Sequence, residues 1–131
     1  MMNSYTGAVI TARERILVPA LDEWEELADI DWCVRQDNPG QPLSVIQQKT
    51  IDMIRSLVGE GLCELGTVEQ GQGFVPVSDF EEGLSKLSAL YIDHHDDRRW
   101  RYAYWLNLTQ AGEHLARRLY AENPEAYTEE D

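Results

Sequence analysis

Between residues 45 and 60, Ile46, Thr50, Met53, Ile54, Leu57 and Val58 recur at spacings of three and four, the period of a helix with one apolar face. Pro42 and Ser44 open this helix. Gly61 follows it as the residue able to take a left-handed conformation, which places Leu62 where it packs back on Leu57 in a Schellman cap. Residues 62–68 and 74–77 then read as extended. Glu69, Gln70, Gly71, Gln72 and Gly73 between them have the length and composition of a β-hairpin loop. Ser78, Asp79, Phe80 and Glu81 predict a capping box and a helix whose stripe is Phe80, Leu84, Leu87 and Tyr91. Gly83 costs that helix about 1 kcal/mol relative to alanine.

Further on, Trp100, Tyr102, Tyr104, Leu106 and Leu108 alternate with Arg101, Ala103, Trp105 and Asn107, the period of two of a half-buried aromatic strand. Thr109 is placed to cap a last helix over residues 110–121, with Ala111, Leu115, Ala116 and Leu119 inward and Arg117 and Arg118 at its dipole-favoured end. In the first third, Pro19 sits inside the pattern of Ile10, Leu17, Ala20, Leu21 and Trp24 and predicts a broken helix. A second helix over residues 25–35 draws on Leu27, Ala28, Ile30, Trp32 and Val34 and stops at Asn38, Pro39 and Gly40. The expected fold is α+β: a helical N-terminal half, a hairpin, an additional helix, an aromatic strand and a C-terminal helix. One domain is expected over residues 1–121.

Over residues 10–77 the order of helix, helix, turn, helix and hairpin resembles winged-helix (winged helix-turn-helix) domains. Residues 51–66, I-D-M-I-R-S-L-V-G-E-G-L-C-E-L-G, are similar to a third helix running into the first wing strand. L-D-E-W at 21–24 and W-L-N-L-T-Q-A-G-E-H-L-A at 105–116 are also similar to small uncharacterised actinobacterial proteins of this kind. The resemblance implies a winged-helix-like fold and, in a regulator, a third helix that enters the DNA major groove with cations on the phosphates. Here the third helix sets Lys49 and Arg55 against Asp52 and Glu60, so its charges cancel.

Charge changes the picture further. The 131-residue chain carries 24 acidic and 11 basic side chains, a formal net charge of −13. Such a chain repels phosphate backbones and anionic lipid and attracts cationic proteins. Part of the excess lies in residues 122–131, where Glu122, Glu125, Glu129, Glu130 and Asp131 surround Pro124 and read as a disordered acidic tail. The body is acidic without it: Asp22, Glu23, Glu25, Glu26, Asp29, Asp31 and Asp37 face one cation, Arg35. Cys33 and Cys63 form no C-x-x-C pair and are expected as buried free thiols of a reducing compartment. The first twelve residues have neither a cationic nor an apolar signal region, the longest aliphatic run being Ala8, Val9 and Ile10. No stretch approaches the roughly 20 apolar residues that cross a bilayer. A cytoplasmic protein is expected.

Candidate chemistry is sparse. No G-x-S-x-G, H-E-x-x-H, phosphate loop or dinucleotide fingerprint is present, so neither an enzyme nor a cofactor is expected. His94, His95, Asp96 and Asp97 have the donors of a metal site, but consecutive side chains diverge, and a solvated loop is the expectation. His114 reads as a surface residue. The leading expectation is a non-enzymatic acidic domain that binds a basic protein, as immunity proteins and DNA mimics do, through Asp22, Glu23, Trp24, Glu25, Glu26 and Asp29. The alternative is a transcriptional regulator that uses Lys49, Arg55, Arg98, Arg99 and Arg101 on DNA. A continuous basic stripe would favour the second, and dispersal among acids the first.

Overall fold

Thr11 opens the first helix with a reciprocal cap. Its hydroxyl accepts from the Glu14 amide (3.2 Å), and the Glu14 carboxylate accepts from the Thr11 amide (2.9 Å). The computed structural model describes residues 10–127, in which this helix, α1, covers Ala12–Leu17. Pro19 has no amide proton to continue it, and the chain passes into a 3-10 turn at Pro19–Leu21, the break that its position predicts. A two-residue strand that the hydrophobic pattern did not announce, β1 (Glu25–Glu26), leads into α2 (Leu27–Asp37). Leu27, Ile30, Cys33 and Val34 fill the inner face of α2, whereas Trp32, expected inside, is 56% exposed.

The next helix, α3 (Leu43–Gly59), ends as its sequence requires. Gly61 has φ +76°, its amide donates to the Val58 carbonyl, and the Leu62 amide donates to the Leu57 carbonyl, both at 3.0 Å, which is the Schellman pattern. The hairpin follows as β2 (Cys63–Glu69) and β3 (Gly73–Pro76), with Thr67 opposite Val75 and Val68 opposite Phe74. The helix after it, α4 (Phe80–Ser88), is capped one residue later than expected. Asp79, not Ser78, has the extended backbone of a cap, and its carboxylate accepts from the Glu82 amide (3.1 Å). A π-helical turn at Ala89–Asp93 continues from α4.

The aromatic segment corrects the sequence reading most. Residues Arg98–Tyr102 form a 3-10 turn, and only Trp105–Leu108 is strand, β4. Asp97 starts the turn by accepting from the Arg99 amide (3.1 Å). Trp100 is held there because its indole N–H donates to the His95 carbonyl (2.9 Å) and its ring packs on Tyr91 and His95, with centroids 4.9 Å from each. The last helix, α5 (Gln110–Glu122), is capped by Thr109 as expected, with Gly112 rather than Ala111 inward. The tail reading is corrected as far as Tyr127. A 3-10 turn at Pro124–Tyr127 follows α5, and the Tyr127 ring meets that of Tyr120 at 6.3 Å. Glu129, Glu130 and Asp131, like Ala8 and Val9, lie outside the described residues.

Five α-helices and a four-stranded antiparallel open sheet, order β1-β4-β2-β3, make an α+β fold among the described residues. Leu65 and Cys63 on β2 pair with Leu106 and Leu108 on β4, and these inward residues meet Ile16, Leu17, Leu27, Ile54 and Leu57 from the helices. Among the described residues no helix is long and apolar enough to cross a membrane.

The sheet is locked at one junction. The Thr109 hydroxyl donates to the Gly61 carbonyl (2.6 Å) and accepts from the Gly112 amide (3.0 Å), while the Thr109 amide donates to the Leu62 carbonyl (3.0 Å). A Cβ on Gly112 would overlap the Leu62 carbonyl oxygen, so α5 can start against this strand only without a side chain. Gly112→Ala is therefore expected to lower stability by about 2 kcal/mol through overpacking. Gly61→Val should cost about 1 kcal/mol or more through left-handed strain. Urea denaturation midpoints check both, and unchanged midpoints would contradict the junction.

Candidate functional site

The acidic residues singled out in the sequence gather around β1, and the alternation of a strand divides them. Asp22, Glu23 and Asp29 are exposed and Glu26 is half-buried, but Glu25 turns inward and is only 5% exposed. Glu25 is thus not part of the outer surface, a correction to its expected role. Burial, and then repulsion from Asp29, Glu23 and Glu26, pushes its carboxyl up to about 8. Burial followed by the charge of Asp29 raises Glu26, which Arg101 partly offsets. Burial and then Glu23 raise Asp29. Among the described residues none of Asp22, Glu23, Glu26 and Asp29 has an ion-pair partner, although five acids elsewhere do.

Two clefts flank this strand. On one side Trp24, 38% exposed and leaning on Phe74 with centroids 6.0 Å apart, walls a cleft of about 380 Å³ with Asp22, Glu23 and, from α5, Glu113. On the other side Trp32 and Tyr102, 56% and 58% exposed, stand at a cleft of about 400 Å³ that also holds Glu26, Asp29, Arg35 and Arg101. Glu113 and Trp32 were not singled out in the sequence as site residues. Glu113 lies some 90 positions from Glu23, so no local spacing could join them.

Beneath the second cleft a buried polar network replaces the metal site considered for His94, His95, Asp96 and Asp97. Asp31, 5% exposed, accepts from Arg35 Nε (2.5 Å) and from the Tyr91 hydroxyl. The Tyr91 carbonyl accepts from Gln47 Nε2 and His95 Nδ1, both at 3.0 Å. His95 is stacked on Trp100, and Asp97 pairs with Arg99 at 2.6 Å, so the donors point to separate partners. Among the described residues no three His, Cys, Asp or Glu side chains are grouped to hold a metal. Burial raises the Tyr91 hydroxyl above its usual range, and its bond to Asp31 adds to this. Cys33 and Cys63 are free and buried, their thiols pushed up to about 12 chiefly by that burial, and at neutral pH they are unreactive.

The five cations considered for DNA are each seen among acids or apart. Arg55 pairs with Glu81 (2.8 Å) and Arg99 with Asp97. Lys49 shares a cleft with Asp37 and Asp52, Arg101 shares one with Glu26 and Asp29, and Arg98 is exposed without an ion pair among the described residues. His114 is exposed on α5.

Glu25 makes stability depend on pH. Its folded pKa lies above the unfolded value, so the folded state keeps a proton that the unfolded state releases. Its contribution is full below about pH 4.5, falls as pH rises, and is lost by about pH 8. Glu25→Gln, which stays neutral, should melt progressively higher than the wild type between pH 5 and about 8, followed by differential scanning fluorimetry. A difference independent of pH would mean that Glu25 ionises normally. No protein-family model, curated protein or solved structure matches this chain.

Proposed function

We propose that this chain is a non-catalytic acidic domain that binds a protein with a basic surface, in the manner of inhibitors and DNA mimics that occlude such a surface. The observation that carries this reading is the set Asp22, Glu23, Glu26 and Asp29, without ion-pair partners among the described residues, between two exposed tryptophans. Carboxylates that already repel one another gain from an incoming cation. Long-range attraction then speeds encounter, while Trp24 and Trp32 are the residue type on which interface energy concentrates. The buried free thiols suit a reducing, cytoplasmic setting.

A non-catalytic role is supported by where the most strongly raised groups lie. Glu25, Cys33, Cys63 and Tyr91 are buried and line neither cleft. Glu26 and Asp29 are the raised carboxyls that line a cleft, and each is raised by burial and neighbouring carboxylates. The winged-helix-like reading of residues 10–77 belongs to this proposal. Helix, strand, helix, helix and hairpin run in that order, while β4, from outside the segment, sits between β1 and β2. Four of the five cations lie among acids, Arg98 being the exception, and this dispersal argues against the DNA-binding alternative.

The test is affinity capture from the source cell at about 50 mM salt, comparing wild type with Glu23→Lys/Asp29→Lys. The wild type should retain a basic protein that salt releases. The variant, with an unchanged melting temperature, should retain about tenfold less of it. Equal retention by both would contradict the reading. In gel shifts near 150 mM salt, duplex DNA should bind no better than weakly, and sub-micromolar, salt-sensitive binding would restore the regulator reading.

A further inference from the structure

We infer that the cleft between Trp24 and the start of α5 is a subsite for one arginine side chain of a cationic partner. The inference rests on the acidic-binder reading and names what that surface grips. Three parts of the chain build the cleft: the turn after α1 with Leu21, Asp22, Glu23 and Trp24, the end of β4 with Leu108, and α5 with Glu113. Its volume of about 380 Å³ falls within the usual range of small-ligand pockets.

The lining selects the occupant. Asp22, Glu23 and Glu113 are its charged groups, and among the described residues no Lys, Arg or His lines it, in contrast to the Trp32 cleft, where Arg35 and Arg101 already face the acids. Three carboxylates exclude an anion. An uncharged apolar group would strip water from those carboxylates without replacing its hydrogen bonds. A cation satisfies them, and the remaining walls discriminate between cations. Ala20, Leu21 and Leu108 are apolar, Asn107 adds one amide, and the partly exposed Trp24 contributes an indole ring to the lining. A planar, weakly hydrated guanidinium stacks on such a ring while its fork reaches a carboxylate. A compact ammonium gives up more hydration to do the same.

The test titrates the isotope-labelled full chain with acetylated, amidated tri-arginine, tri-lysine and tri-citrulline, the last being a neutral isostere, and follows backbone and indole NMR signals. Tri-arginine should move the Trp24 indole N–H and the amides of Leu108 and Glu113 saturably. Tri-lysine should bind about threefold more weakly and tri-citrulline should leave these signals in place. Glu113→Gln, an exposed change that leaves the fold intact, should weaken tri-arginine by about threefold. Trp24→Leu should weaken it by about tenfold or more. Wild-type affinity in Glu113→Gln, or tri-lysine binding as tightly as tri-arginine, would overturn the subsite. Shifts centred on Glu26 and Asp29 with the Trp24 indole unmoved would overturn it while leaving the acidic-binder reading standing. The absence of saturable shifts anywhere between Asp22 and Asp29 would overturn both.

Discussion

Thr109 ties together two parts of the chain that are 48 positions apart, and most of the architecture follows from that tie. Its hydroxyl serves two purposes, capping α5 through the Gly112 amide and closing on the Gly61 carbonyl where α3 turns into β2. A single oxygen in that position sets the end of one helix against the start of another. Because β4 runs directly into Thr109, the junction also sets β4 beside β2, with Cys63 opposite Leu108. Among the described residues β4 is the one strand that β1 pairs with in the sheet. A local cap thereby determines where the acidic strand stands.

The consequence is electrostatic. Pairing with β4 points Glu25 into the core and Glu26 outward, so two adjacent carboxyls meet different surroundings. The inner one is most easily kept as the neutral acid. Of the outer ones, Glu26 and Asp29 are raised by burial first and by neighbouring carboxylates second, and neither they nor Glu23 meet an ion-pair partner among the described residues. Concentrating like charge this way opposes compaction. Much of the protein's basic charge is instead spent in pairs elsewhere, Arg13 with Glu60, Arg55 with Glu81 and Arg99 with Asp97. The acids on the Trp32 side are faced by Arg35 and Arg101, whereas no cation lines the Trp24 side among the described residues.

Features set by neighbours in the chain could be read from the sequence. Gly61 with Leu62, the Gln70–Gly71–Gln72 turn and the Thr109 cap each depend on a few consecutive residues, and all are where local chemistry puts them. The pattern misled where tertiary contacts outweighed it. Alternation through Trp100, Tyr102 and Tyr104 looked like a strand, but Trp100 is drawn into the Tyr91 and His95 stack and Asp97 turns the chain before it. Two-residue β1 has too few positions to show a period, so Glu25 could not be told from its exposed neighbours. Glu113 joins Trp24 only through folding, and Asp31 finds Tyr91 across 60 positions, which no spacing rule reaches.

The Thr109 junction holds β4 and, through it, β1. Native-state hydrogen exchange of the wild type and Thr109→Val measures this directly, using two amides. The Thr109 amide donates to the Leu62 carbonyl, and the Leu27 amide, the first after β1, donates to the Tyr104 carbonyl. Both should lose protection together in the variant, by about tenfold, as expected for removal of one cap and one further hydrogen bond, that to the Gly61 carbonyl. Loss of protection at Thr109 with Leu27 unchanged would contradict it.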